Sequence, residues 1–301
     1  FQRALLEMAY SNYKGKYTDV AEKLMLKTTE PKIFAMAAEH YLAAGTDPDA
    51  WNKVIRIFSK RSDKDKHVPF YYGLLTGLIK GYSDKESTAW LISNLQQALP
   101  GQTLLLSLQR KNRDQPGLAL VRDRNGNWVT DDSGKIIAIP QLARSLSNLP
   151  FYLTNGNTPQ GIFRMNGFDV SKSMAIGPTT NLQLLMPCET SPQAFFPGAN
   201  PTDSVWSEEV YKELLPAPLQ EYLPQFESFF ASLAGRTEII AHGTTVNPEF
   251  YRNHPYYPLT PTQGCLCTRE IWDEQDGKRA ISDQQKLVNA IRKAGGPNGY
   301  C

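Results

Sequence analysis

The chain changes character at Pro100-Gly101, and any fold proposed for it has to accommodate that change. Before this point, apolar residues recur at helical spacing. Pro31 stands where a first helical residue would, and Ile33, Phe34, Ala37, Ala38, Tyr41 and Leu42 follow on one face until Gly45. Asp47-Pro48 opens another helix, with Trp51, Val54, Ile55 and Phe58 together. Ser83 with Glu86 reads as a capping box before Ala89, Trp90, Ile92 and Leu95. The set resembles a small stack of helical hairpins, without an exact repeat.

After Pro100 the pattern shortens. Leu104–Leu108, Leu118–Arg122, Asn127–Thr130 and Ile136–Ile139 read as strands, with turns at Asn125-Gly126 and Ser133-Gly134. Proline and glycine stay frequent through residue 264, as in a strand-rich domain with long loops. A helix is expected over Pro218–Ala234. A short strand, Thr237–Ala241, should deliver His242-Gly243. Ser282–Ala294 reads as a capped helix with Leu287, Val288 and Ile291 inward and Gly295 as its stop. The predicted class is α+β: an all-α domain over residues 1–100, then a mainly β domain over 101–301 with a few helices. A length of 301 residues suits two domains, and 41% hydrophobic residues with five tryptophans suffice for a core.

Several function classes lose support at once. A net charge of +2 gives no argument for a nucleic-acid partner. No apolar run approaches the roughly 18–20 residues of a membrane span; Phe70–Ile79 contains Gly and Thr and reads as a buried helix. The first residue is Phe1, which reads as a processed or trimmed product with any signal or anchor outside the visible chain. Four cysteines are too few for a disulfide scaffold. Asp131-Asp132-Ser133-Gly134 lacks the closing Glu of a calcium loop and reads as a hairpin turn.

Two of the four cysteines fall in TPTQGCLC, Thr260–Cys267. A cysteine nucleophile needs a base, something to orient the base, and donors aimed at the developing oxyanion. Gly264 before Cys265 permits a sharp turn that presents consecutive N–H groups. His242 at a strand end is a rigid base, ahead of His254 in a Pro- and Tyr-rich loop; His40 and His67 read as ordinary helix residues. The bland reading of Cys265 is a buried structural thiol. Cys267 has three readings: core, resolving thiol, or metal ligand beside Cys265. No second Cys or His pair stands at zinc spacing, so no metal site is expected. Cys188 and Cys301 carry no motif.

The run from His242 to Cys267 resembles the signature of the L,D-transpeptidase (YkuD-like) catalytic domain: His-Gly, a variable spacer, then Ser/Thr-His-Gly-Cys. The match runs through His242, Gly243, Thr262, Gly264 and Cys265. Upstream, Gly156–Met165 (GNTPQGIFRM) is similar to the Thr-Pro-x-Gly-x-Phe strand of that family's groove. The resemblance implies Cys265 as nucleophile, His242 as base, the Gly243 carbonyl as its orienter, and the N–H groups of Gly264 and Cys265 as oxyanion donors. It also implies Thr158, Pro159 and Gly161 as groove residues. Arg164 and Arg269 are the nearest cations for a substrate carboxylate; Tyr251, Thr262 and Gln263 complete the expected substrate surface. Gln263 stands where the family has His, and Cys267 where it has a basic or amide residue. Twenty-three positions separate His242 from Cys265, a long spacer whose Phe250, Tyr251, Tyr256 and Tyr257 read as a lid or a stem-peptide site.

The implied reaction is acyl transfer on peptidoglycan tetrapeptide stems, as L,D-transpeptidase or L,D-carboxypeptidase, through a thioester and without a cofactor. The implied place is the cell envelope, in the periplasm or at the outer cell surface. Two other readings stay open: a cysteine amidase or hydrolase for another acyl substrate, and a non-catalytic cell-wall-binding protein. Oligomeric state and the role of residues 1–100 are open.

Overall fold

The computed structural model describes residues 1–78, 87–198 and 204–301. Six helices come first: α1 Gln2–Asn12, α2 Thr18–Lys27, α3 Pro31–Ala43, α4 Ala50–Ser59, α5 Val68–Leu78 and α6 Thr88–Gln96. Pro31 opens α3 as expected, its missing N–H costing nothing at a first helical position. α3 is buried from Ile33 to Tyr41 because α1 and α2 pack on it, so it is apolar nearly all round. The expected capping pair Ser83 and Glu86 lies outside the described residues. The cap of α6 is Ser87, whose hydroxyl accepts from the Trp90 N–H.

Then come β1 Leu104–Leu108, β2 Gly117–Arg122, β3 Ala138–Leu142, β4 Arg164–Asp169 and β5 Asn181–Leu185. Three short helices follow: α7 Pro192–Phe195, α8 Glu208–Lys212 and α9 Glu227–Leu233. The chain ends with β6 Ile239–His242, β7 Leu266–Thr268, β8 Glu270–Trp272, β9 Arg279–Ser282 and α10 Asp283–Lys293. The class is mixed α/β: among the described residues, ten α-helices and a curled seven-stranded sheet of order β1-β2-β3-β7-β6-β5-β4, with β8-β9 as a separate ribbon. Neighbours in the large sheet are antiparallel except β6 and β7, which run parallel.

Two expected elements change. Asn127–Thr130 makes only isolated bridges, and the next strand falls at Ala138–Leu142. Asp123 and Asp131 each accept from backbone N–H groups two and four residues on, which commits the chain to two tight turns. The expected helix Pro218–Ala234 is broken into the 3₁₀ turns Ala217–Leu219 and Leu223–Phe226, then α9. Pro224 has no N–H for an inner turn and its ring crowds the preceding carbonyls.

The last residues close the curl. The Leu105 N–H donates to the Tyr300 carbonyl at 2.8 Å and the Tyr300 N–H to the Thr103 carbonyl at 2.9 Å. Phe163 and Cys301 exchange two bonds of 2.8 Å, and the Met165 N–H donates to the Gly299 carbonyl. The chain end thus lies between β1 and β4, satisfying both edges of the sheet.

One apolar cluster runs from Met25 and Phe34 through Leu105 and Leu182 to Ile291, with no break at residue 100. Tyr152 packs its ring on Gly73 and donates its hydroxyl to Glu39 at 2.7 Å. The buried Arg122 guanidinium donates to the carbonyls of Gln96, Ala98, Leu99 and Gln102, tying the end of α6 to β2. A second, small cluster joins Leu142 of β3 to Tyr256 and Leu259, with Tyr251 against it. Among the described residues, no helix is long and apolar enough to cross a membrane.

Candidate active site

The parallel pair β6 and β7 sets His242 opposite Cys267 and Ala241 opposite Leu266. Side chains alternate along a strand, so His242 and Cys267 share one face while Ala241 and Leu266 point to the other; Cys265 lies in the bend just before β7. The chain between the two strands folds back over this face. Its aromatics Tyr251, His254 and Tyr256 stack on one another, and Tyr256 and Leu259 seal against Leu142, opposite Cys267 in the β3–β7 register. The guanidinium of Arg144 sits 5.2 Å over the Tyr256 ring. Part of the long spacer is therefore a packed cover. Phe250 stays outside it, 79% exposed, and His254 is exposed at its surface.

His242 is buried at the end of β6, and its Nδ1–H donates to the Gly243 carbonyl. That bond fixes the tautomer and leaves the lone pair on Nε2. Burial pulls the imidazole below its ordinary pKa, so the ring is neutral at neutral pH, the form a base requires. Gly243 must be glycine: a Cβ there would meet the Glu270 carboxyl carbon at 2.2 Å. Glu270 is buried, accepts from the Ser282 hydroxyl, and is pushed above the ordinary carboxylate range by burial.

Cys265 sits half-buried on the turn before β7, level with Ile240. Its Sγ–H points to the Glu238 carbonyl at 3.8 Å, so the resting thiol faces Glu238 rather than His242. Glu238 holds φ 64, a left-handed conformation that a residue with a side chain rarely adopts; the geometry turns its carbonyl toward the thiol. Burial raises the thiol pKa, a backbone hydrogen bond from Ile240 and then the Arg236 guanidinium lower it, and the Glu238 carboxylate raises it.

The turn itself is held from below. The Thr158 hydroxyl donates to the Gly264 carbonyl at 3.0 Å, and Arg236 donates to the same carbonyl at 3.2 Å. Gly264 has φ 108 and its Cα approaches the Gly156 carbonyl and the Arg236 guanidinium, so no side chain fits there. Thr262 Oγ1 accepts from the N–H groups of Gly264 (3.1 Å) and Cys265 (2.9 Å) and donates to the Cys265 carbonyl at 3.0 Å. The two expected oxyanion donors are thus already engaged by a side chain of their own turn.

The remaining expected residues scatter. Cys267 is fully buried beneath the cover, bonded to Thr260 Oγ1 at 3.6 Å, and its thiol is pushed up to about 12. Gln263 is exposed beside the nucleophile turn. Pro159 and Gly161 line a cavity of about 440 Å³ with Leu105, Phe163, Leu266 and Arg113. Leu266 lines that cavity, so it lies on the face of β7 opposite Cys267 and His242. Arg164 lies on β4, three strands from β7, and donates to the carbonyls of Ala194 and Phe195. Arg269 is paired with Asp283 at 3.0 Å. Among the described residues no cluster of His, Cys, Asp or Glu is arranged to hold a metal.

Arg236 escaped the sequence reading altogether. Its only signal was a basic residue after Gly235 at the exit of an apolar helix, where a solvated helix end is the usual explanation. Thr158, expected to shape a groove, lines the same cavity as Pro159 and Gly161 and also braces Gly264. Compared with family models, with curated proteins and with solved structures, the chain matches none.

Proposed function

We propose that the chain is a cysteine acyltransferase of the L,D-transpeptidase kind, acting on peptidoglycan stem peptides in the cell envelope. The observation that carries this reading is a neutral, backbone-oriented His242 at the end of β6, with the half-buried Cys265 on the bend that opens the neighbouring strand β7. The residue order resembling the family's adds the substrate class. Residues 1–100 are a helical packing domain for the catalytic residues 101–301, and no cofactor enters the reaction.

The sequence of events follows from the groups present. Cys265 turns from the Glu238 carbonyl toward His242 and gives its proton to Nε2. The thiolate attacks the carbonyl of the scissile peptide bond, and His242 returns the proton to the leaving amine. The thioester is then resolved by a second amine, or by water, whose proton His242 takes. Thr262 must release the Gly264 and Cys265 N–H groups for them to bind the oxyanion, because a donor serves only when aimed at the developing charge.

A second reading, a non-catalytic binder of glycan or peptide, takes its support from the same Thr262 bonds and from the raised thiol. Intact-protein mass spectrometry separates the two. Wild type, Cys265→Ala and Cys267→Ala are incubated with a disaccharide-tetrapeptide and, separately, with a carbapenem. An adduct in wild type and Cys267→Ala but not in Cys265→Ala is the expected result. Folded, reduced protein with neither adduct nor product would sink the enzyme reading, and the peptide products tell transfer from hydrolysis.

A further inference from the structure

Arg236, just past the end of α9, is 4% exposed. Its hydrogen bonds all go to backbone carbonyls: Phe151, Asn157 (2.6 Å), Gly156 (2.7 Å) and Gly264 (3.2 Å). Carbonyl dipoles solvate a guanidinium but do not neutralise it, and a buried cation without an anion is costly. Two acidic side chains act on it, a carboxyl and a thiol that carries charge only after losing its proton. Glu227 is one, but its carboxylate is held by Gln160 and also faces Arg113. Cys265 is the other, and it follows directly the residue whose carbonyl Arg236 holds. Seen from Cys265, the charged groups in play are Arg236 beneath the turn, the exposed Glu238 beside it, and the buried Cys267 thiol two residues on. Glu189 accepts from the Glu238 N–H at 3.4 Å, and its carboxyl, raised by burial, also feels the Glu238 carboxylate.

We propose that Arg236 is a positioning residue that serves as the buried counter-ion of the Cys265 thiolate, with Glu238 opposing it from the solvent side. The proton that leaves Cys265 goes to His242 or to water; the guanidinium keeps its own, and the buried site becomes neutral when the thiolate forms. The same four carbonyl bonds hold residues 151–157 against the nucleophile turn, so one side chain fixes both place and charge. Arg236 thereby offsets the burial that leaves Cys267 inert. The inference rests on Cys265 as the reactive thiol, not on the identity of any acyl substrate.

The test is the pH dependence of Cys265 alkylation by iodoacetamide on the full chain, read by peptide mapping, with circular dichroism to check folding. Arg236→Gln keeps a donor for the carbonyls and removes the charge. Its alkylation midpoint should rise by about one pH unit, a roughly tenfold loss of rate near neutrality. Arg236→Lys should hold the wild-type midpoint. A folded Arg236→Gln with the wild-type profile would overturn the proposal, since a merely structural role leaves the midpoint in place. Should Arg236→Gln not fold, Glu238→Gln decides. With that carboxylate gone the buried cation acts unopposed, so the midpoint falls and iodoacetate gains on iodoacetamide. An unchanged midpoint and ratio there would reject the counter-ion. A shifted midpoint without acylation by stem peptide would keep Arg236's role and remove the transpeptidase reading; acylation with an unshifted midpoint would do the opposite.

Discussion

Cys265 and Cys267 stand two positions apart in the sequence, one on a bend and one on the strand that follows it, and they occupy different chemical worlds. Cys265 stands on a turn with solvent on one side and a buried guanidinium on the other. Cys267 stands under Tyr256 and Leu259, bonded to Thr260, with no solvent contact. Identical side chains diverge because one thiolate has a cation and water to stabilise it and the other has neither. The cover that seals Cys267 is the spacer between His242 and Cys265.

The largest consequence is a gap in reactivity. In native protein, Cys265 should be alkylated about a thousandfold faster than Cys267, from thiolate fraction and access together. Peptide mapping after an iodoacetamide pulse reads both sites, and in strong denaturant the gap should close. Equal native rates would erase the comparison.

Removing the cover attacks the contrast from the other side. Tyr256→Ala deletes a ring that is 2% exposed and should cost about 3 kcal/mol of local stability. Hydrogen exchange at Thr260 and Cys267 should accelerate, and Cys267 should become alkylatable while Cys265 changes little. Continued protection of Cys267 would mean that Leu259 and Thr260 suffice without the ring.

The pH profile sharpens the contrast further. His242 is held neutral by burial, so protonating it should matter only below its ordinary range, about pH 6.5. The Cys265 thiol is raised, so carbapenem acylation should still be climbing several-fold between pH 7 and 9. A plateau already reached at pH 7 would place the thiol lower than its surroundings imply.

The smallest effect tests the brace. Thr158→Val removes the donor to the Gly264 carbonyl and should cost about 1 kcal/mol, seen as a lower Tm. Cys265 alkylation should change while Cys267 stays protected. A shift at both sites would show that the turn and the covered strand move together.

Much of the scaffold was legible because local rules decided it. Pro31 opening a helix, Leu104–Leu108 as a strand, Ser282 capping α10 and the Asp131 turn all depend on neighbours within a few residues. Pro224 breaking the helix before Glu227 was equally local and was overlooked in favour of the apolar run. The site divided along the same line. His242 bonding its own neighbour Gly243 is a contact between adjacent residues. The Arg164 and Arg236 contacts reach across 30 and 28 positions, which spacing along the chain does not encode.

By itself the sequence determined a helical run followed by short strands, a glycine on each side of the chemistry, and a His and a Cys able to form a nucleophilic pair. Periodicity, missing N–H groups and left-handed φ values are properties of a few consecutive residues. Tertiary structure decided which thiol is sealed, which arginine holds the Cys265 turn, and that Pro159 and Gly161 line a cavity on the face of Leu266. Those outcomes depend on burial and on charges brought together from distant parts of the chain, and both exist only after β6 and β7 lie side by side.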